Sequence, residues 1–96
     1  MRIEELKNQI EALKPVLKER FKVETIGIFG SYVRGEQKRK SDLDVLVEFS
    51  ETPSLFEFVE LEDFLSQKRG LKVDLVMRDS LKPRIRGSIL KEAVYV

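Results

Sequence analysis

The stretch GSYVRGEQKRKSDLDVLVEF, residues 30–49, sets a Gly-Ser pair at one end, two aspartates one residue apart near the other, and a run of charge between them. From Leu43 onward the apolar residues Leu43, Val45, Val47 and Phe49 alternate with Asp44, Leu46 and Glu48, the period of a β-strand with one packed face. Asp42 and Asp44 then project together from the other face, their Cβ atoms about 6.5 to 7 Å apart. On a helix the same two side chains would point about 200° apart, so the strand reading decides whether they can act together.

Working outward, Ile3, Leu6, Ile10, Leu13 and Leu17 recur at steps of three and four and predict an amphipathic helix from residue 3 to about 20, which Pro15 should kink or restart. VETIGIF at 23–29 is rich in β-branched and aromatic residues and stops at Gly30, the pattern of a buried strand. Thr52 or Ser54 opens a helix carrying Leu55, Phe58, Val59, Leu61, Glu62 and Leu65 and ending near Gly70. LKVDLVM at 71–77 is a third strand, with Asp74 facing away from Val73, Leu75 and Met77. A last helix follows Asp79 and Ser80, with Pro83 in its first turn and Gly87 within it, and the tail EAVYV at 92–96 reads as an extra strand or as the end of that helix. The expectation is one α/β (α+β) domain over residues 1–96, a mixed β-sheet with helices packed on one face.

Composition narrows the chemistry. The chain has 96 residues, with 18 Lys and Arg against 17 Asp and Glu, a net charge of +1, so no global field draws it onto nucleic acid. It contains no Cys and no His, which excludes disulfides, thiol nucleophiles, histidine bases and zinc sites of the Cys/His type. Carboxylates, hydroxyls, Lys and Arg must do any chemistry, and a metal should be a hard, oxygen-loving ion such as magnesium or manganese. No apolar run approaches the ~20 residues of a membrane span, so the chain reads as soluble and cytoplasmic.

Asp74 adds a third carboxylate to Asp42 and Asp44, and three such groups on one face repel one another unless cations are present. A carboxylate pair on one strand face can bridge two cations about 3.5 to 4 Å apart, the arrangement of two-metal phosphoryl transfer. Gly30 and Ser31 follow a strand where backbone N–H groups and a hydroxyl can meet phosphate oxygens, and Arg34, about one turn on, can place a guanidinium on the same phosphates. Ser41, just before the aspartates, is a further nucleotide-binding candidate, and Lys38, Arg39 and Lys40 form a basic edge. Each piece alone has a structural explanation: a Gly-Ser turn, an Asp-x-Asp on a solvated strand face, a charged loop. Their joint occurrence favours a site.

With Gly30, Ser31, Arg34, Gly35, Ser41, Asp42 and Asp44 in place, the stretch resembles the signature of the DNA polymerase beta-like nucleotidyltransferase superfamily: Gly-Ser, ten residues, then Asp-x-Asp. The fuller form looks like the minimal nucleotidyltransferase branch, the MNT or MntA-type antitoxins, over nearly the whole chain, with Val33 where that branch often has Ala. The resemblance implies the small nucleotidyltransferase fold, a nucleoside triphosphate donor and two Mg2+ ions. Asp42 and Asp44 would ligate both metals, Asp74 the metal nearer the attacking hydroxyl, and Gly30 and Ser31 would grip the β and γ phosphates. It also implies ATP as donor, a HEPN-domain ribonuclease toxin as partner, and a toxin tyrosine as acceptor of AMP. A chain of this length has no room for an acceptor domain of its own, which suits a protein partner.

Two other functions fit less of the sequence. A binding module could neutralise its partner by complex formation alone, using apolar residues such as Val94, Tyr95 and Val96. Transfer to a small hydroxyl compound, as in antibiotic-modifying relatives, would call for an added helical region that this chain lacks.

Overall fold

The computed structural model describes residues 3–38 and 41–96, so Arg39 and Lys40 of the expected basic edge lie outside the described residues. Helix α1 spans Ile3–Phe21 and buries Leu6, Ile10, Leu17 and Phe21 along one stripe. It passes through Pro15 without restarting, because the stripe on either side of the proline docks on the same sheet and holds both halves in one helix. The strand β1, Val23–Phe29, leads into a single helical turn, α2, Ser31–Arg34, closed by Gly35 in the left-handed conformation. Strand β2 spans Leu43–Phe49, helix α3 Leu55–Arg69 and strand β3 Val73–Met77. A 3-10 turn at Arg78–Ser80 precedes helix α4, Pro83–Glu92, and a two-residue strand β4, Val94–Tyr95. Both readings of the EAVYV tail are therefore realised, Glu92 closing the helix and Val94 opening the strand.

The four strands form a mixed sheet in the order β3-β2-β1-β4, with β2 and β3 parallel and the other pairs antiparallel. On one face Leu43, Val45, Val47, Ile26, Ile28, Val73 and Leu75 meet the buried stripes of α1 and α3. The other face is apolar only in part, where Leu46 and Phe29 meet Leu81, Val76, Ile89 and Leu90. Helix α4 thus departs from the expected placement of helices on one face. Leu46, fully enclosed among the polar positions of β2, gives α4 an apolar place to pack on the opposite side.

Helix α3 is fixed at both ends by local chemistry. Ser54 accepts from the Glu57 N–H while the Glu57 carboxylate accepts from the Ser54 N–H, a reciprocal capping box, and Gly70 closes the helix at φ 66°. Its side chains also serve the outer edge of β3: Ser66 Oγ accepts from the Val73 N–H and Glu62 Oε2 from the Leu75 N–H, both at 3.0 Å. These bonds fix β3 alongside β2 and so set the position of Asp74. Among the described residues no helix is long and apolar enough to cross a membrane.

Candidate functional site

The parallel register of β2 and β3 pairs Leu43 with Val73 and Asp44 with Asp74, so the two aspartates stand directly across from one another. Strand alternation puts both on the α4 side of the sheet, the side Leu46 also faces, while Leu43, Val45, Val73 and Leu75 fill the core beneath. Asp42 lies two residues ahead of Asp44, just before the strand begins, with its Oδ2 3.9 Å from Lys72 Nζ. Asp74 is exposed, and Asp42 and Asp44 are half-buried.

Burial pushes the Asp44 carboxyl up to about 6, reinforced by the negative charges of Asp74 and Asp42 and opposed by Arg34. Glu48, farther along the same face of β2, shows the contrast. The Thr25 hydroxyl donates to it at 2.9 Å and Arg78 at 3.1 Å, and these partners hold its carboxyl below the ordinary value. One end of the face has its carboxylate compensated by the protein, whereas the Asp44 end gathers like charges.

The Gly-Ser pair meets this end directly. In the antiparallel pairing of β1 with β2, Phe29 lies opposite Asp44, and Gly30 comes next with φ 80° and ψ −151°, a conformation open to glycine. A Cβ at residue 30 would fall on Asp44 Oδ2 and within 2.9 Å of its Cγ. The glycine therefore lets the main chain lie against the carboxylate. Ser31 follows as the first residue of α2, half-buried. Arg34 donates from Nη1 to Glu92 Oε1 at 2.7 Å and from Nε to Glu36 Oε1 at 3.1 Å. Ser41 Oγ accepts from the Lys38 N–H at 2.7 Å and closes the turn leading into β2.

The structure brings Gly30, Asp44 and Asp74 together, with Asp42 and Arg34 at the margin and Ser41 engaged in its own turn. The resemblance implies a divalent metal, and the donors suit one in kind: hard carboxylate oxygens whose mutual repulsion a cation would relieve. Among the described residues, no three acidic side chains converge closely enough to form a finished metal cage. A cavity of about 570 Å3 lined by Lys14, Leu17, Val23 and Ile26 lies on the α1 side of the sheet, so the carboxylate face is an open shelf beside α4 rather than the mouth of that cavity. Sequence reasoning missed Glu92. Nothing local marks it, because its place beside Gly30 depends on the pairing of β4 with β1.

The nucleotidyltransferase domain family matches residues 10–96. This chain belongs to the nucleotidyltransferase family. Among its relatives is the protein adenylyltransferase MntA of Thermococcus cleftensis, 54% identical over 94 residues, a match covering 98% of this chain and 95% of the relative. A solved structure assigned as a minimal nucleotidyltransferase superposes with a TM-score of 0.82 at 36% identity, covering 98% of this chain and 95% of the other. A crystal structure of a toxin–antitoxin with AMP-PNP superposes with a TM-score of 0.76 at 28% identity, covering 93% and 70%. The mixed four-stranded sheet with its helices is the minimal nucleotidyltransferase fold, and the protein is a nucleotidyltransferase enzyme.

Proposed function

We propose that this nucleotidyltransferase transfers AMP from ATP to a tyrosine hydroxyl of a HEPN-domain toxin and so acts as the antitoxin of a toxin–antitoxin pair, with residues 1–96 forming a single catalytic domain. The observation that carries the reading is the contact between Gly30 and Asp44, which joins a backbone phosphate grip to a carboxylate pair in register on β2 and β3. The protein adenylyltransferase relative and the neighbour in a toxin–antitoxin with AMP-PNP support the donor and the kind of acceptor.

In the reaction, the acceptor oxygen forms a bond to the α phosphorus, the bond from that phosphorus to the bridging oxygen breaks, and pyrophosphate leaves. Gly30 and Ser31 hold the β and γ phosphates, Arg34 adds positive charge beside them, and Ser41 shapes the turn that delivers Asp42. Asp42 and Asp44 would hold two Mg2+ ions, with Asp74 contributing to the one nearer the acceptor. When bound, those ions supply charge neutralisation and acidify the hydroxyl. Asp74, exposed and opposite Asp44, would help take up the acceptor proton. With no histidine in the chain, the residues' task is alignment and charge, with little covalent work of their own.

The test is incubation with α-labelled ATP, magnesium and the candidate toxin. Label should reach the toxin with the wild-type protein and fall about a hundredfold or more with Asp44→Asn, the scale of losing one group that supports stabilisation of transition-state charge, about 2.7–4 kcal/mol. Equal labelling by both proteins would exclude the catalytic assignment. A second reading, neutralisation by complex formation alone, draws on the outer face of α3, where Leu55 and Phe56 are 76% and 86% exposed. Under that reading Asp44→Asn would inhibit the toxin as well as wild type does.

A further inference from the structure

The antiparallel register of β1 and β4 pairs Gly27 with Tyr95 and Ile28 with Val94. Continued by two residues, the same register sets Gly30 opposite Glu92. The side chain of Glu92 uses that position: its Oε2 accepts from the Gly30 N–H at 3.4 Å and its Oε1 from Arg34 Nη1 at 2.7 Å. Its own exposure is 20%, so the carboxylate is mostly withdrawn from water and directed at these two donors. Both donors belong to the set assigned above to nucleotide phosphate.

We propose that Glu92 is a resident anion of the phosphate grip, a carboxylate that engages Gly30 and Arg34 and that the β and γ phosphates of ATP must displace. The inference rests on the nucleotidyltransferase reading of the site and adds a determinant of nucleotide affinity to it. Three features support displacement over a purely supporting role. Arg34 keeps a second carboxylate, Glu36, on its Nε, so it remains tethered when Glu92 lets go. The Gly30 contact is long for an N–H···O bond, a weak hold that a phosphate oxygen can replace. Glu92 also adds to the negative field at Asp44, so its retreat eases the arrival of a polyanion. Because α4 ends at Glu92 and β4 is bonded to β1 immediately afterwards, the main chain there is anchored. Displacement is then a swing of the side chain.

The experiment measures binding of ATP and of AMP, each with magnesium and without any acceptor protein, to wild type, Glu92→Gln and Glu92→Asp by calorimetry. Glu92→Gln should bind ATP roughly tenfold more tightly, the scale of one charge-assisted contact freed, and AMP within about twofold of wild type, because AMP lacks the competing phosphates. Glu92→Asp keeps the charge but is one methylene shorter, and should gain a smaller factor for ATP alone; it carries the test if Glu92→Gln does not fold. ATP affinity unchanged or weakened in the folded variants, while wild type binds ATP, would overturn the proposal and leave the nucleotidyltransferase reading intact. Equal gains for ATP and AMP would also overturn it, since they would mark a general structural change. Failure of every protein to bind ATP would overturn both.

Discussion

Replacing Asp44 by asparagine should stabilise the metal-free protein while disabling it. Folding raises the carboxyl from its ordinary value of 3.8 to about 6, so the unfolded chain gives up this proton at lower pH than the folded one. Stability linked to Asp44 is therefore fully present below about pH 4, declines as pH rises through the interval up to about 6, and is absent at neutral pH. At about 1.36 kcal/mol per pH unit, the ionised carboxylate costs the fold at most about 3 kcal/mol at pH 7.5. Asp44 is only half-buried, and solvent screening reduces this to about 1–2 kcal/mol. Asparagine keeps the shape and removes the charge. Urea unfolding in the presence of a chelator should show Asp44→Asn more stable than wild type by about 1–2 kcal/mol at pH 7.5, with Tm higher by about 5–15 °C. The gap should nearly close at pH 4. Magnesium should raise the stability of wild type and leave the variant almost unchanged. An Asp44→Asn protein no more stable than wild type at pH 7.5, or stabilised equally at both pH values, would refute the reasoning that like charges are stored at this end of the sheet.

Gly30→Ala should cost about 2–4 kcal/mol in urea unfolding and abolish transfer, since it combines a positive φ with a Cβ placed on Asp44. Gly35→Ala, equally left-handed but with open space around it, should cost only about 1 kcal/mol. Glu62→Ala should leave the Leu75 N–H without its partner and destabilise by about 1–3 kcal/mol, with faster amide exchange along β3 as the direct readout. Leu17→Ala, in the middle of the α1 stripe, should cost about 2–5 kcal/mol in the same unfolding assay without altering ATP affinity in the folded fraction.

The strand at Leu43–Phe49 was legible because its alternation is broken only at Leu46, and with it the shared face of Asp42 and Asp44. The capping of α3 was equally local: Ser54, Glu57 and Gly70 are readable within a few residues. The alternation of LKVDLVM placed Asp74 on the polar side of its strand, but its position opposite Asp44 comes from the parallel pairing, which local periodicity does not encode. The packing of helix α4 on the opposite face of the sheet is not local for a related reason. Leu46 looked like an apolar residue on a polar face, and only the sheet shows that Phe29, Val76 and Leu81 gather around it to make a second small core. Pro15 by itself predicts a kink or a restart, whereas the docked stripe of α1 decides the outcome.

The side chains of Glu62 and Ser66 that bind β3 have a consequence for association. A sheet margin normally invites another chain to lie along it and continue the ladder, which is a common route to both recognition and aggregation. Here Val73 and Leu75 have their amide hydrogens committed to a helix of the same molecule, and the opposite margin, Val94–Tyr95, is only two residues long. Strand addition thus has little purchase on either border. Association of this protein is thereby steered towards contacts made by side chains, which can be selective for one partner in a way that a bare backbone ladder is not.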